Sequence, residues 1–532
     1  MGKARQNVKA LRKMPIGIQD FEDLRTKGYV YVDKTAYVWK LVTESKPYFL
    51  SRPRRFGKSL LLTTLKAYFQ GKKELFDGLA IAGLETEWLE YPVLHLDFNP
   101  LRYDSVSSLN DFVANLLKQL ESEYELPAGN DRIEIRFQNL INDIYKKTGR
   151  QVVVLIDEYD KPLLESLGDE KLNADLRATL KPFYGVLKSA DAALRFVMLT
   201  GVTRFSKVSV FSDLNQLNEI GMDTAFSCIC GITENELLEN FEPELEALAE
   251  ANGESFEETL SAMRKNFNGY RFTKKNERVY NPFSLLNTFF KQDIQYYWFA
   301  TGTPTFLFTE LERTGFDVQQ FNGDITVSEI KINDYQPGDT NPVPLLYQTG
   351  YLTITGFNAR KRRYNLGFPN EEVKYGFLGN LLPRYIRADT DKTNYYVGNL
   401  SDTFEAGDLE GFFRQLRAFF GLIPYDLQYE KTESYYQTIF FVVFILMGQF
   451  IETEVRSAVG RADAVVKTRD TVYVFEFKLD SSGTVEEALK QIDDRGYLIP
   501  YSADGRRLVK VGVVFDTEKR TVGEWAAVAV QN

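Results

Sequence analysis

The fold of the amino-terminal part of the chain is decided by residues 46–69, KPYFLSRPRRFGKSLLLTTLKAYF. The start of this stretch predicts a short buried strand, and the residues after Gly57 predict a helix, with a loop between the two. Backbone N–H groups at such a helix start, together with the positive end of its dipole, suit a polyphosphate. Lys58 can reach the terminal phosphates, and the Ser59 hydroxyl can ligate Mg²⁺. The residues expected to contact a nucleotide here are Arg55, Phe56, Gly57, Lys58, Ser59 and Leu60.

One position of this loop departs from the usual spacing GxxxxGK[ST]. The first glycine of that pattern would stand at a position that is Arg52 here. A turn that glycine normally eases must then be formed otherwise, and we expect Pro53 and the two arginines after it to shape it. On these residues alone, a helix that merely begins with polar side chains stays an alternative to a phosphate site.

Two later strands are expected to bring polar groups to the same loop. Short β-branched runs alternate with helical stretches between about residues 46 and 235, which predicts a parallel sheet buried on both faces. The run QVVVLIDE ends in Asp157 and Glu158, at the carboxyl end of a strand, where such sheets bind ligands. Asp157 can hold Mg²⁺ and Glu158 can polarise an attacking water. Thr200 and Arg204, at the end of LRFVMLTGVTR, can sense a γ-phosphate, although polar residues are also common at strand ends without such a role.

A second group of charged residues lies near the end of the sequence, in ADAVVKTRDTVYVFEFKLD. Two apolar alternating runs flank Arg469 and Asp470, which predicts a hairpin with a two-residue turn. Partner residues are equidistant from such a turn, so Asp463 faces Glu476. Period-two alternation sends Asp463, Glu476 and Lys478 to one face and the large apolar residues to the other.

The two carboxylates predicted to face each other need a compensating charge. Directly opposed side chains have Cβ atoms about 5 Å apart, and two carboxylates at that separation repel by roughly 3 kcal/mol at an effective dielectric of about 20. A divalent cation with oxygen ligands supplies the compensation, and Lys478 can orient water or stabilise the charge that develops on an attacked phosphate. The alternative is that Arg461 and Lys478 neutralise the carboxylates as an ordinary salt-bridged strand face.

Four separated blocks resemble, in order, a family of bacterial and archaeal AAA-like ATPases close to the STAND-type NTPases. They are MPIGIQDFEDLRTKGYVYVDKT, SRPRRFGKS, LIDEYDKPL and TGVTRFSKVSVFSDLNQL, within about residues 14–230. The segment RPRRFGKS is that family's own form of the phosphate loop, which accommodates Arg52. The resemblance implies that ATP is the nucleotide. It also implies phosphate and Mg²⁺ binding by Gly57, Lys58 and Ser59, metal support by Asp157, hydrolysis through Glu158, and a place near the adenine for Phe21 and Tyr31.

The spacing from Asp463 to the segment EFK at 476–478 resembles the PD-(D/E)XK nuclease superfamily, over about residues 435–517. In that superfamily a preceding apolar helix contributes another carboxylate, for which Glu454 is the best match. Ala462 stands where proline is usual, at a position that varies across the superfamily. The resemblance implies metal binding (Mg²⁺ or Mn²⁺) by Glu454, Asp463 and Glu476, catalysis by Asp463, Glu476 and Lys478, and support by Gln491 and Tyr497.

Composition limits the remaining possibilities. The chain of 532 residues has 64 Lys and Arg against 74 Asp and Glu, a formal charge of −10, so any nucleic-acid contact must be local. A single histidine excludes His-rich zinc sites and disfavours a Ser/His/Asp triad. The two cysteines, Cys228 and Cys230, are expected to be buried thiols on one face of a strand.

Two other segments bear on partners. The apolar run IFFVVFILM at 439–447 is far shorter than the roughly 20 residues that span a bilayer, so we expect a buried helix in a soluble, cytoplasmic protein without a membrane partner. The basic run NARKRRYN at 358–365 is interpreted as a solvated turn between two strands, with contact to a phosphate backbone as the alternative.

Together these patterns predict a multidomain α/β protein: a P-loop NTPase with a parallel sheet, joined by a helical connector to a restriction-endonuclease-like α/β domain. We expect an ATP-dependent, metal-dependent nuclease acting on nucleic acid, with DNA before RNA, in defence or mobile-element biology. A nucleotide-switched signalling or binding module with an inactive nuclease-like domain stays the alternative, and homo-oligomerisation is open. The expected parts are a flexible basic arm at 1–13, the ATPase domain at 14–233, a helical lid and winged-helix-like connector at 234–399, and the nuclease-like domain at 400–532.

Overall fold

A computed structural model describes residues 12–44, 47–204, 217–299, 305–322, 325–386, 390–422, 433–448, 452–455 and 463–530. The chain forms two compact units. The first contains the residues up to Phe316 together with Thr326–Glu372, and the second contains Asp317–Ile325 and Val373–Asn532. The predicted domain boundaries at residues 234 and 400 concern smaller pieces than these units, and they stay predictions.

Helices and strands alternate through the first unit. Its helices are α1 (Phe21–Thr26), α2 (Thr35–Glu44), α3 (Lys58–Phe69), α4 (Val106–Glu123), α5 (Ile133–Thr148), α6 (Lys161–Glu165), α7 (Glu170–Ser189), α8 (Glu234–Asn252), α9 (Phe256–Phe267), α10 (Pro282–Lys291), α11 (Thr305–Thr314) and α12 (Val343–Gln348). Its strands are β1 (Tyr48–Ser51), β2 (Val93–Asp97), β3 (Val152–Asp157), β4 (Leu194–Gly201), β5 (Asn218–Glu219), β6 (Ile232–Thr233), β7 (Val279–Tyr280), β8 (Ile325–Ser328), β9 (Thr353–Asn358) and β10 (Arg363–Gly367).

The main sheet of the first unit is parallel, as predicted, with the strand order β2-β3-β4-β1-β5. Every residue of β3 is buried, which is typical of a Val- and Ile-rich strand covered on both faces. Strand β4 lies between β1 and β3. The carboxyl ends of these three strands therefore meet at one edge of the sheet, beside the start of α3.

Smaller sheets complete this unit. The predicted strands of the 351–368 region are β9 and β10, which pair as an antiparallel hairpin next to β8. The prediction of one strand carrying both cysteines is wrong. Cys228 and Cys230 lie in a turn that follows the short 3₁₀ helix Thr224–Phe226, and Gly231, with a φ of 86°, prevents the chain from continuing as a straight strand there. Both thiols are free and buried, as predicted.

The second unit is a mixed sheet with helices. Its helices are α13 (Glu371–Ile386, which begins in the first unit), α14 (Thr390–Glu405), α15 (Leu409–Phe420), α16 (Glu433–Met447) and α17 (Val485–Asp494). Its strands are β11 (Glu452–Val455), β12 (Ala464–Lys467), β13 (Thr471–Leu479), β14 (Arg507–Asp516) and β15 (Thr521–Ala529). The strand order follows the sequence, and β13 and β14, connected through α17, form the one parallel pair in this sheet as described.

Aromatic packing forms the core of the second unit. The apolar run at 439–447 is buried within α16, as predicted. The ring of Phe440 lies 4.5 Å from that of Phe477, and the ring of Phe444 lies 5.3 Å from that of Phe475, measured between centroids. The apolar face of β13 therefore rests on α16. None of the helices in the described part of the chain has the length and apolar character required to cross a membrane.

Candidate functional site

The loop between β1 and α3 has the backbone of an anion-binding turn. Gly57 stands at the amino-terminal cap of α3 with a φ of 93°, and Arg55 also has a left-handed φ, of 68°. Left-handed residues before a helix turn successive N–H groups toward a common point, and they favour glycine at the closest approach. Ser59 follows, half-buried, in the first turn of α3. The predicted phosphate loop therefore has the strand, turn and helix context that its chemistry requires.

Arg52 anchors this loop from within the protein. Its side chain is buried, and its guanidinium donates hydrogen bonds to the carbonyls of Ser51 (2.9 Å), Gly221 (2.6 Å) and Phe226 (3.2 Å). The guanidinium also lies 4.2 Å from the ring centroid of Phe272. Its backbone φ is not left-handed, so this position does not need a glycine. The departure from the usual spacing is thus explained, because the arginine fixes the loop through its side chain.

Lys58 already has protein partners. Its Nζ lies 3.1 Å from Glu158 Oε1 and donates to the carbonyls of Arg52 (3.1 Å) and Pro53 (3.3 Å). The lysine is 3% exposed. The structure thus joins the phosphate-loop lysine to the carboxylate predicted as the hydrolytic base.

Asp157 is the last residue of β3 and lies at the same edge of the sheet as the phosphate loop. Its Oδ1 accepts hydrogen bonds from the Thr200 hydroxyl and from the Glu158 N–H (3.1 Å). Its register partner on β2 is Asp97, a residue that we did not predict. Burial, followed by the charges of Asp157 and Glu158, raises the pKa of Asp97. The sequence did contain a signal for Asp97, because it is the last residue of the apolar run VLHLD, as Asp157 is the last residue of its own strand.

Asp160 is a second residue missed at the sequence level. It is fully buried and accepts hydrogen bonds from the N–H groups of Val202 (3.0 Å) and Thr203 (2.5 Å) and from the Thr203 hydroxyl (2.6 Å). A Cβ at Gly201 would lie 2.6 Å from Asp160 Oδ1, so only glycine fits there. Burial, and then the charge of Glu158, raises the pKa of Asp160 to about 6. Asp160 therefore ties the loop after β3 to the end of β4.

Arg204 is held by neighbouring residues. Its guanidinium pairs with Glu219 on β5, and its N–H donates to Gln348 Oε1 (2.7 Å). The structure thus brings Thr200 directly to Asp157 and places Arg204 on the far side of β1. A phosphate-sensing role for either residue stays a prediction.

An apolar pocket opens beside Gly57. Tyr31 lines it, whereas Phe21 is fully buried and packs against Tyr31 with ring centroids 5.3 Å apart. Phe56 and Leu60 contribute to its wall, and the Arg55 guanidinium lies outside it, over the ring of Phe283 (3.9 Å). The lining residues are Pro15, Leu24, Val30, Tyr31, Val32, Lys34, Phe56, Gly57, Leu60, Leu61, Thr64, Ile229, Cys230, Gly231, Ile232, Phe241, Pro282 and Leu286. A flat apolar group attached to a phosphate on the loop fits this surface.

The second candidate site lies on the β12–β13 hairpin, whose predicted register is confirmed. Ala464 pairs with Phe475, and the Thr468 N–H bonds to the Thr471 carbonyl (2.9 Å) across the two-residue turn. The Asp463 N–H donates to the carbonyl of Phe475 (3.2 Å), the residue that Ala464 already pairs with, so the regular register ends at Ala464. Asp463 Oδ2 accepts from the Phe477 N–H (2.9 Å). Asp463 therefore lies near Glu476, and a direct cross-strand pairing of the two stays a prediction.

Glu476 is a buried carboxylate with one unsatisfied oxygen. Its side chain is 3% exposed. Oε1 accepts from the Gln491 amide and lies 3.5 Å from Lys478 Nζ, and Lys478 also donates to Gln491 Oε1 (2.6 Å). Oε2 has no hydrogen-bond partner among the described residues. Burial, and then the charge of Asp463, raises the pKa of Glu476 to about 7. An orphaned oxygen beside a second carboxylate fits a divalent cation.

Helix α17 positions Gln491 above this pair. A capping box begins this helix, since the Thr484 hydroxyl accepts from the Glu487 N–H (3.3 Å) and the Glu487 carboxylate accepts from the Thr484 N–H (2.9 Å). Gly512 on β14 is the register partner of Glu476, and a Cβ there would lie 2.8 Å from the Val485 carbonyl. The missing side chain lets the helix approach the sheet closely. A glycine inside the strand VKVGVVF was the signal for that approach.

The remaining predicted residues of this site have mixed outcomes. The expectation that Glu454 extends from the preceding helix is wrong, because Glu454 lies on β11 and pairs in register with Val465. Alternation with Thr453 and Val455 explains the strand. The Glu454 side chain, and all of Arg461 and Ala462, lie outside the described residues.

Tyr497 is buried in an apolar cluster that covers the turn end of the same face of β13. The cluster consists of Val465, Val472, Val474, Ile492, Tyr497 and Leu508. One end of this face of β13 is therefore apolar and buried, and the other end carries the charged residues Glu476 and Lys478. A role of Tyr497 near the carboxylates stays a prediction. Within the described ranges, no group of three His, Cys, Asp or Glu side chains is arranged to hold a metal ion. The two facing carboxylates are the donors that the described part provides.

Comparison with known proteins gives two family matches and a full-length relative. Residues 15–211 match the family described as predicted AAA-ATPase, and residues 431–525 match the PD-(D/E)XK nuclease superfamily. The chain is also similar to the "Uncharacterized protein in vnfD 5′ region" of Azotobacter chroococcum mcd 1. The two are 37% identical over 521 residues, which cover 96% of this chain and 98% of that protein.

Proposed function

The chain belongs to the predicted AAA-ATPase family and carries a carboxy-terminal domain of the PD-(D/E)XK nuclease superfamily, and from this premise we propose an ATP-hydrolysing, metal-dependent nuclease. Nucleotide binding or hydrolysis would control cleavage of nucleic acid phosphodiesters. The observation that carries the proposal is the buried Glu476 facing Asp463, with one carboxylate oxygen unpartnered among the described residues. A divalent cation would give the orphaned oxygen a partner and would offset the repulsion between Glu476 and Asp463, which supports the proposal.

In the first unit, the proposed reaction is hydrolysis of ATP. The N–H groups of residues 55–60 would bind the phosphates, and the apolar pocket with Tyr31 would hold the adenine. Lys58 would leave Glu158 for the terminal phosphates, which frees Glu158 to orient and deprotonate the attacking water. Ser59 and Asp157 would hold the Mg²⁺ that accompanies ATP. Asp160 would keep the end of β4, with Thr200, at its present distance from Asp157.

In the second unit, the proposed reaction is phosphodiester hydrolysis. Asp463 and Glu476, with Glu454 as a third donor, would hold Mg²⁺ or Mn²⁺. When bound, such an ion lowers the pKa of water and neutralises charge on the attacked phosphate. Lys478 would stabilise the oxygen charge that develops during attack. Gln491 would keep the side chains of Lys478 and Glu476 next to each other by bonding to both.

A cleavage assay tests the proposal. The full chain would be incubated with DNA and RNA panels, crossed with ATP, a non-hydrolysable ATP analogue, Mg²⁺ and Mn²⁺. We expect Glu476→Ala to abolish metal-dependent cleavage. Glu486→Ala is the matched control, because Glu486 is an exposed carboxylate on α17, outside the site. Undiminished cleavage by Glu476→Ala in metal-replete protein would overturn the catalytic assignment.

A second candidate function is a nucleotide-switched binding or signalling module whose nuclease-like domain does not cut. Gln491 and Lys478 already occupy Oε1 of Glu476, which favours this alternative. It predicts nucleotide-dependent binding of nucleic acid with no loss of substrate in Mg²⁺ or Mn²⁺. The cleavage assay above separates cutting from binding. We further propose that the protein acts on DNA, is cytoplasmic, associates with itself, and takes part in defence or mobile-element biology.

A further inference from the structure

Two loops of the first unit that are far apart in the sequence lie side by side. The loop 274–278 lies between Tyr270 and Val279, which form an antiparallel bridge. The Arg271 N–H donates to Thr353 Oγ1 (2.7 Å), and the Ile354 N–H donates to the Arg271 carbonyl (3.3 Å). These bonds fasten the base of the loop to the start of β9. The turn of the β9–β10 hairpin, at 358–363, therefore projects next to it. We call the two segments together the basic double loop.

Contacts at the tips confirm that the two segments form one surface. Lys274 Nζ lies 4.4 Å from the ring centroid of Phe357, which precedes the hairpin turn. Lys274 and Arg362 both pair with one carboxylate, Glu329. The Glu329 N–H also donates to the Arg362 carbonyl (3.0 Å). Glu329 thus holds the two loops together from below.

The basic double loop is exposed and strongly positive. Its sequences, KKNER and NARKRR, contain seven basic residues and one acidic residue, on a chain whose formal charge is −10. Every residue of 274–278 and 358–363 is exposed. Several of its cations, Arg278, Arg360, Lys361 and Arg363, form no ion pair with any residue that the structure describes. Such a cluster of exposed cations produces a local positive potential that attracts an anionic partner.

We propose that the basic double loop binds the sugar–phosphate backbone of a nucleic acid duplex. The four arginine and lysine side chains that form no ion pair with described residues, on two adjacent tips, can each reach a different phosphate oxygen, and guanidinium groups bind phosphate through two parallel hydrogen bonds. Contacts to phosphate oxygens carry no sequence information directly, so we expect this binding to be independent of sequence. The identity of the partner rests on the proposed nuclease function. The binding itself is separate from cleavage and lies in the first unit, outside both candidate sites.

Salt-dependent binding tests the proposal. The affinity of the full chain for a 20-bp DNA duplex, and for an RNA duplex of the same sequence, would be measured in EDTA between about 50 and 200 mM salt. The variant Arg360→Ala/Lys361→Ala/Arg363→Ala removes three cations. We expect at least about tenfold weaker binding, and a log–log salt slope that is shallower by about 3, since each phosphate contact contributes about 0.9 to the slope on B-DNA. Because EDTA prevents cutting, failure of the proposed cleavage would leave this result intact.

A matched control removes the same charge elsewhere in the first unit. Arg132, Lys146 and Lys147 are exposed residues at the two ends of α5, and their triple alanine variant should keep the wild-type slope. Equal weakening by both triple variants, or an unchanged slope in the loop variant, would overturn the proposal. Binding to phosphatidylserine vesicles with no binding to either duplex would overturn it as well. Lys361→Glu, a single exposed change, supplies a second test that does not depend on the stability of the triple variant.

Discussion

Glu372 shows how burial alone sets the behaviour of a carboxylate away from both candidate sites. It is fully buried, accepts from the Ser284 hydroxyl (2.9 Å) and the Trp298 N–H (2.8 Å), and its Oε2 has no partner among the described residues. Burial raises its pKa from the ordinary 4.5 to about 7, although both hydrogen bonds and the charge of Arg55 act in the opposite direction. The ionised form is therefore disfavoured in the folded protein.

This pKa predicts a pH-dependent effect of Glu372→Gln. Above pH 7 the carboxylate is ionised in both states and destabilises the fold. Between about pH 7 and 4.5 only the folded state binds the proton, so stability rises as the pH falls. We expect Glu372→Gln to raise the free energy of unfolding by about 3 kcal/mol at pH 8 and by less than about 1 kcal/mol at pH 5. Urea unfolding at the two pH values measures this.

The neighbouring carboxylate provides the control for that prediction. Glu371 pairs with Lys265 and is partly exposed, so Glu371→Gln should change stability by no more than about 0.5 kcal/mol at either pH. A Glu372→Gln variant that is equally or less stable than the wild type at pH 8 would contradict the prediction.

A second residue-scale prediction concerns Glu158. Because Glu158 pairs with Lys58, Glu158→Gln should release the lysine and strengthen binding of a non-hydrolysable ATP analogue, by about three- to tenfold, while hydrolysis is lost. Calorimetric titration measures the affinity independently of turnover. Glu170→Gln, an exposed carboxylate change on α7, should leave it unchanged. Weaker binding by Glu158→Gln would show that the carboxylate does not compete with the phosphates for Lys58.

Residues whose roles follow from local pattern could be predicted, and residues defined by tertiary neighbours could not. The two-residue turn fixes the register of its hairpin, so the pairing of Ala464 with Phe475, next to Asp463 and Glu476, followed from the sequence. Asp160 was missed because its partners, Val202 and Thr203, come from another strand. Arg52 was noticed as an exception to the usual loop spacing. Its hydrogen bonds could not be predicted from the sequence, because the acceptors on Gly221 and Phe226 are 169 and 174 residues away along the chain.

At the scale of elements, the approach of α17 to β14 determines the geometry of the second site. Gly512→Val would place two methyl groups where the Val485 carbonyl and Ala488 now lie. We expect a loss of about 1–3 kcal/mol in the free energy of unfolding, and a larger loss of cleavage than of stability, because α17 carries Gln491. Denaturant unfolding and the cleavage assay measure the two effects on the same preparation.

Gly398→Ala is the matched control for this element. Gly398 lies on α14 with open space around its Cα, so an alanine there should be neutral or stabilising by about 0.5–1 kcal/mol. Full cleavage by Gly512→Val would contradict the role given to α17.

The elements themselves were largely readable from the sequence. Short apolar runs between helices predicted β1 to β4 and their parallel arrangement. Very short strands, such as β5 and β6, carry too few residues for any periodicity to show. Glu454 was misplaced because the chain leaves α16 and enters β11 within a few residues, and the family pattern was given more weight than the β-branched alternation.

At the scale of the whole molecule, the two units make a separable prediction. Lys58→Ala should abolish ATP hydrolysis and the effect of nucleotide on cleavage, while metal-dependent cleavage without nucleotide persists. Glu476→Ala should abolish cleavage and leave ATP hydrolysis within about twofold of the wild type, because ATP hydrolysis is assigned to residues of the first unit. Parallel phosphate-release and gel assays on both variants measure this. Loss of ATP hydrolysis in Glu476→Ala, or ATP hydrolysis that persists in Lys58→Ala, would contradict the assignment of one reaction to each unit.

The basic double loop could not be predicted from the net charge, because that value is a sum over the whole chain. The formal charge of −10 and the short run at 358–365 favoured a solvated turn, and that turn is present. The folded chain adds a second basic segment beside it, since Arg271 fastens the 274–278 loop to β9. Only the fold could reveal this local concentration of charge.

The bonds that Lys58 forms with protein groups have a consequence for the affinity of the loop. A triphosphate that engages Lys58 would replace its contacts with Glu158 and with two backbone carbonyls. The free energy of that exchange is subtracted from the binding free energy, so half-saturation would require a higher triphosphate concentration than a lysine without these bonds would need.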